Sequence, residues 1–171
     1  MPTCQVGYIE NGGRALYVSA RTDYAMRAML AVAARHPEIV KAATLAASQD
    51  IPPPFLRNIL LDLRRAGLLH SLRGADGGYC LIRGPAEVTV GDVLRATNGA
   101  ITTVRGLSVD AASYQGVAAG LGEFWGAVHR SVADIVDNVT LADLLGASHE
   151  QPSSLAISFC AETRQRRLGS P

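Results

Sequence analysis

The stretch "IPPPFLRNILLDLRRAGLLHSLRGADGGYCLIRG", residues 51–84, restricts the fold more than any other part of the chain. Its first half opens with prolines, which suit a first helical turn because the N–H they lack would be unpaired there. It closes at Gly67, the residue type that best supports a left-handed cap. Between these limits Leu56, Ile59, Leu60 and Leu63 recur at i, i+3, i+4 and i+7, so one face is apolar and destined for a core. Arg57, Asn58, Leu61, Arg64 and Arg65 are left for the other face. The second half sets two alternating runs, 68–73 and 79–83, around "GADGG", whose residues can take the positive φ angles of a tight hairpin. A basic-faced helix that feeds straight into a slender ribbon predicts a winged helix.

The upstream sequence supplies the remaining parts. Ser19 is a cap-type residue, Asp23 falls in the first turn, and Ala- and Met-rich sequence runs to Ala34 before Pro37, which predicts a first helix. Residues 42–49 form a short alanine-rich second helix, and Asp50 stands where the chain must turn before Ile51. A short helix, a tight turn and a helix with an exposed basic face make a helix-turn-helix. The hairpin then lies beside the helix that would enter a major groove, and Arg73 at its shoulder points where minor-groove potential is most negative. The expected DNA-contacting set is Pro54, Arg57, Asn58, Arg64, Ser71, Arg73 and Gly74. The plainer reading of Gly77 and Gly78 is that they only bend the chain.

Charge is divided along the chain in the same sense. Residues 57–83 hold Arg57, Arg64, Arg65, Arg73 and Arg83 against Asp62 and Asp76, whereas residues 84–150 hold three arginines against eight acids. A positive half of this kind meets a polyanion.

Downstream, "VTVGDVLRATNG" predicts a helix with Val90, Val93 and Leu94 inward and Gly99 as its stop, followed by an irregular stretch, 100–119. Leu121, Phe124, Trp125, Val128, Val132, Ile135, Val136 and Val139 then form one continuous apolar stripe. Antiparallel pairing of that stripe across a two-fold axis would bury it, which makes these eight residues the expected dimer contacts; packing on the protomer's own winged helix is the alternative. Thr140 and Asp143 form a capping box that starts a new short helix. The organisation is an N-terminal extension (1–18, with a possible strand at 16–18), a winged helix-turn-helix (19–99), a loop (100–119), a dimerisation helix with a short capping helix (120–146) and a tail (147–171). Arg164, Arg166 and Arg167 in the tail are read as a solvated end. The fold class is mainly α with a small β-hairpin.

Several function classes are disfavoured. No run of about 18 apolar residues is present and no basic flank precedes an apolar stretch, so cytoplasm is the expected location and no membrane partner is expected. Cys4, Cys80 and Cys160 lie far apart with no C-x-x-C pair, which argues for reduced thiols rather than a disulfide framework or a zinc knuckle. No nucleophile elbow, P-loop or metal-ligand spacing occurs, so an enzyme is not expected.

The segments "SARTDYAMRAMLAVA", "DIPPPFLRNILLDLRRAGLL", "SLRGADGGYCLIRGPAEVTVGDVLRATNG" and "NVTLADLL" together resemble the Rrf-two (Rrf2) family of bacterial winged-helix transcription regulators, over residues 18–145. That family includes the regulator of iron-sulfur cluster assembly, the nitric-oxide-sensing repressor and the cysteine-metabolism repressor. The resemblance implies a homodimeric repressor whose long helix crosses the partner subunit, with Arg57 reading bases, Arg73 in the minor groove and a near-palindromic double-stranded site. It also implies a contrast. Cluster-binding members carry three cysteines in the loop before the dimer helix, but here residues 100–120 contain no Cys, no His and one acid, Asp110. No cofactor is therefore expected, since thiolates hold iron-sulfur clusters. The remaining route to a cluster is an unusual set built from Cys80 or Cys160 with His36 or His129. Any signal would then come from a small molecule, a partner protein or a thiol. The rival reading from another class is a winged-helix interaction module that has lost DNA binding and acts through its dimer surface.

Overall fold

The computed structural model describes residues 18–104 and 107–147. The readings made for 1–17 and 148–171, including Cys4, Cys160 and the tail arginines, lie outside the described residues. The element order is α1 (Ala20–Ala33), α2 (Ala42–Gln49), α3 (Pro53–Arg65), β1 (Leu69–Leu72), β2 (Gly78–Leu81), α4 (Val90–Asn98), β3 (Thr103–Val104), β4 (Leu107–Ser108), α5 (Leu121–Asp137) and α6 (Leu141–Ala147). The fold is mostly helical with an antiparallel hairpin, as expected. Val18 is exposed coil, so it joins no sheet.

Local chemistry explains several of these boundaries. Ser19 caps α1 by accepting from the Thr22 amide at 3.2 Å. Thr22, itself buried, accepts from Asn98 Nδ2 at 2.9 Å and so ties the start of α1 to the end of α4. Asp50 takes a left-handed conformation (φ 50°), which lets Ile51 return a hydrogen bond to Ala46 and turn into α3. At the far end of α3, Gly67 (φ 73°) donates to Arg64 O and Leu68 to Leu63 O, a paired cap that satisfies the last carbonyls and releases the chain into β1. Thr89 and Asp92 cap each other's amides at the start of α4. The box expected at α6 is present too: Thr140 donates through its amide and hydroxyl to Asp143, and Asp143 N–H donates back to Thr140 Oγ1. These bonds hold the Asp143 carboxyl below the usual carboxylate range.

The core sits where α1 meets α2, α3, α4 and α6. Ala25 and Ala28 let helices approach α1 closely, while Met29 and Val32 fill the space against Leu56, Ile59, Leu60 and Leu63 of α3. The four α3 residues are at most 2% exposed, in agreement with their spacing. Of the α4 residues read as inward, Val93 is fully buried while Val90 and Leu94 are half-buried.

Two details of the wing depart from expectation. Strands β1 and β2 pair antiparallel from Leu69↔Leu81 to Leu72↔Gly78, but only Gly74 of the tip takes a positive φ, 106°. Gly77 and Gly78 are needed for space instead. A Cβ on Gly77 would overlap Leu72 O, and one on Gly78 would lie 2.5 Å from Val40 O and 2.8 Å from Ile39 Cγ2. That contact is the backbone bridge Val40↔Tyr79, with N···O distances of 2.8 and 2.9 Å, which fastens the wing to the segment before α2. The stretch expected to be irregular also contains a short antiparallel pair, Thr103↔Ser108 and Val104↔Leu107, and two 3-10 turns.

After α4 the chain leaves the core, forms α5, and returns. A second bridge, Thr89↔Thr140, with Val90 N–H to Val139 O and Leu141 N–H to Val88 O, closes this excursion. Helix α6 then packs on α1, with Leu141 fully buried, so it adds to the core rather than to α5. Helix α5 itself contains no buried residue. Leu121, Phe124 and Ile135 are 41%, 55% and 52% exposed, Trp125, Val128, Val132 and Val136 are half-buried, and Val139, beyond its end, is buried. Packing of the stripe on the protomer's own winged helix is thus realised in part: α5 meets α4, Val139 is buried and four stripe residues are half-buried, while Leu121, Phe124 and Ile135 stay exposed. Arg95 of α4 meets the C-terminal end of α5, donating two hydrogen bonds to Asp137 at 2.8 and 2.6 Å. These bonds hold the Asp137 carboxyl below the usual carboxylate range.

Two predictions concern stability. Gly78→Ala should lift β2 off Val40 at a cost of about 1–3 kcal/mol, typical of overpacking against backbone. Calorimetry should show a lowered Tm, and hydrogen exchange should show the Tyr79 and Val40 amides losing protection first. The Asp137 contribution, present when the carboxylate is ionised, should fade as pH falls below its unfolded value of about 3.9 toward its lower folded value. Because both side chains are well exposed, at 45% and 38%, the pair is worth at most about 1 kcal/mol. Asp137→Asn should lower the neutral-pH Tm by roughly 2–4 °C and flatten its acid dependence.

Candidate nucleic-acid interface

Helix α3 and the hairpin present one continuous exposed surface. Burial of the 56/59/60/63 face turns Pro54, Arg57 and Asn58 outward on the first two turns of α3, all three exposed. Arg64, two turns further on, donates to Ser71 Oγ of β1 at 3.4 Å and so joins the end of α3 to the wing. Arg73 is exposed where β1 enters the tip, and Gly74 follows it with its left-handed backbone also exposed. All seven residues expected to contact DNA thus lie on α3, β1 or the tip, and Ser71 alone among them is half-buried.

Ion pairing sorts the arginines of this region. Arg65 reaches Asp62 at 3.7 Å, and Asp62 is also held by Arg21. Arg83 pairs with Asp92 at 3.5 Å. Arg57, Arg64 and Arg73 have no carboxylate partner among the described residues. The cations left uncompensated are therefore those on the exposed face of α3 and at the wing, the arrangement that attracts phosphate and offers guanidinium groups to base edges.

Two residues of this surface went unmarked in the sequence. Lys41 precedes α2 and reaches toward Asp76 of the wing tip at 4.0 Å, a loose pair between exposed side chains. Phe55, on the first turn of α3, is 61% exposed. Its spacing carried a signal, since position 55 falls off the 56/59/60/63 stripe. The ring meets Tyr24 of α1 edge-on, with centroids 6.5 Å apart, and Arg27 lies over the Tyr24 ring at 5.6 Å.

Other chemistry is thinly represented. Cys80 is a free thiol on β2, opposite His70 in the ladder, and His129 of α5 hydrogen-bonds to Thr102. Among the described residues, no three of His, Cys, Asp and Glu come together as a metal site, and no helix is long and apolar enough to cross a membrane.

Comparison with known proteins agrees with this geometry. Residues 18–147 match the family model Rrf2, described as an iron-dependent transcriptional regulator. An HTH-type transcriptional regulator of Mycobacterium tuberculosis is 38% identical over 155 residues, covering 90% of this chain and 96% of the relative. Among solved structures, IscR of T. potens superposes with a TM-score of 0.63 at 30% identity, covering 78% of this chain and 89% of that one. CymR, the global cysteine regulator of Bacillus subtilis, superposes with a TM-score of 0.64 at 29% identity, covering 80% and 100% respectively. These relatives are transcriptional regulators, not enzymes. Residues 100–120, the segment before α5, contain neither cysteine nor histidine. With its helix-turn-helix, its glycine-tipped wing and a family match spanning the whole described region, the chain belongs to the Rrf2 family of DNA-binding transcriptional regulators.

Proposed function

We propose that this protein is a homodimeric, sequence-specific repressor acting in the cytoplasm, with α3 of each subunit in a major groove and each wing in the adjoining minor groove of a near-palindromic site. The observation that carries the reading is the segregation of charge: Arg57, Arg64 and Arg73 lack carboxylate partners among the described residues, while Arg65 and Arg83 are paired. Clustered on α3 and the wing, these cations suit a polyanion such as duplex DNA. The dimer reading rests on α5, where Phe124 and Trp125 pack edge-on to each other with centroids 5.0 Å apart and Leu121, Phe124 and Ile135 stay exposed while no residue of the helix is fully buried. A second copy of the same helix is the self-complementary cover for such a stripe. Regulation proceeds without an iron-sulfur cluster in this reading, supported by the chemistry of residues 100–120. The signal is then a small ligand, a partner protein or oxidation of a thiol.

The two exposed arginines should fail differently when removed. Arg57→Ala should lose about 1–3 kcal/mol of discrimination between operator and scrambled duplex while keeping much of the salt-sensitive, non-specific binding. Arg73→Ala should weaken both duplexes more evenly and lower the slope of log affinity against log salt by about 1 per subunit. Titrations at several salt concentrations, on a site selected from a random duplex pool, separate the two. If neither change alters affinity or salt slope, the interaction-module reading replaces this one. Val132→Asp should convert the dimer to monomer by light scattering and weaken operator binding in parallel; a monomeric unmodified protein would remove the dimer from the proposal.

A further inference from the structure

Beyond its opening prolines, helix α3 presents its exposed face through polar and charged side chains, with Phe55 as the exception. Phe55 is the only large apolar residue of α3 that stays exposed, at 61%, although Leu56 beside it is 2% exposed in the core. Phe55 lies on the first turn, between Pro54 and Arg57, and it approaches Tyr24 edge to face rather than burying its own face. Tyr24 is in turn braced by Arg27, which pairs with Asp23 and donates to Gln49 O at the end of α2. The ring is therefore supported from behind by α1 and open in front. In a helix-turn-helix, the first residues of the recognition helix reach the base edges. The apolar feature that a major groove offers there is the C5-methyl group of thymine.

We propose that Phe55 is a specificity-determining residue that reads a thymine methyl in each half-site, from the flank of α3 that faces Tyr24. This rests on the DNA-binding reading given above. A phenyl ring carries no charge and donates no hydrogen bond, so its loss leaves the ionic contacts with phosphate untouched. It leaves the salt dependence of binding to the arginines.

The experiment uses the full chain and a site enriched from a random duplex pool. Each symmetry-related pair of thymines is replaced in turn by deoxyuridine, which removes only the methyl group and leaves base pairing intact, and affinities are measured by fluorescence anisotropy. One pair should weaken wild-type binding on the order of fourfold per half-site, the loss expected for one methyl-sized apolar contact. Phe55→Ala should bind the thymine and deoxyuridine sites equally, with an unchanged salt slope, and Phe55→Leu should restore part of the difference. Wild-type protein that binds every deoxyuridine site as tightly as the parent site overturns the inference without any variant having to fold. So does a Phe55→Ala protein that keeps the wild-type preference for thymine. Failure to enrich any sequence removes the DNA-binding reading and this inference with it, whereas an enriched site indifferent to its methyl groups removes this inference alone.

Discussion

The burial of Leu56, Ile59, Leu60 and Leu63 against α1 is the constraint on which the rest of the structure depends. These four side chains are at most 2% exposed, and small residues on α1, Ala25 and Ala28, let the two helices come close enough to pack them. At about 1.5–3 kcal/mol for each fully buried aliphatic side chain, rotating α3 about its axis to hide any other face would cost far more than a surface contact returns. The orientation of α3 is set chiefly by apolar burial, with the Arg21–Asp62 pair joining α1 to α3 beside it. Its polar residues need no partners to hold them outward, and Pro54, Arg57 and Asn58 are presented because nothing else can be.

The wing is fixed by a different force. An isolated two-stranded hairpin is marginal in water, and the four-residue strands here bury few side chains. What holds it is mostly backbone, the paired bonds between Val40 and Tyr79 and the cap that delivers Leu68 directly from α3, helped by the buried Leu69 and Leu81 and by the side-chain contact of Arg64 with Ser71. The first of these requires the strand to lie almost against Val40, which only a residue without Cβ allows. Gly78 thus serves the attachment of the wing, while Gly74 serves its tip. The base of the wing is pinned and the tip is left slender and exposed.

Much of this was legible from the residues, for identifiable reasons. The α3 stripe, the caps at Ser19 and Thr140, the stop at Gly99 and the turn at Asp50 are local signals, each satisfied within a few residues of where it is written. The roles of Gly77 and Gly78 were misassigned because they depend on what approaches from elsewhere in space, such as Val40, some 40 residues away in sequence. The pairing state of the arginines was hidden for the same reason: Asp62 and Asp92 absorb Arg65 and Arg83, and counting charge along the chain cannot tell which cations are left over. Phe55 was overlooked in the opposite way. Its position off the stripe was visible, but a phenylalanine next to a buried leucine is easily counted as core.

The connection between the wing and α5 runs through α4, and its character follows from magnitudes. Arg83 and Asp92 join the base of the wing to the first turn of α4, and Arg95 and Asp137 join the middle of α4 to the last turn of α5. All four side chains are between a third and a half exposed, so each pair contributes about 1 kcal/mol or less. Neither pair holds its helix in place. That work falls to Val93 and Leu141 in the core and to the backbone bridge between Thr89 and Thr140, which fastens the end of the α5 excursion to the start of α4. The ion pairs select a direction within that attachment. The two-pronged Arg95 contact has a planar geometry that a rotated α5 would lose, and Gly91 leaves room for it, since a Cβ there would overlap the Asp137 carboxylate. In the proposed dimer, the spacing between the two recognition helices is set by where α5 projects. A weak contact that fixes an angle then matters more for matching half-site spacing than for stability.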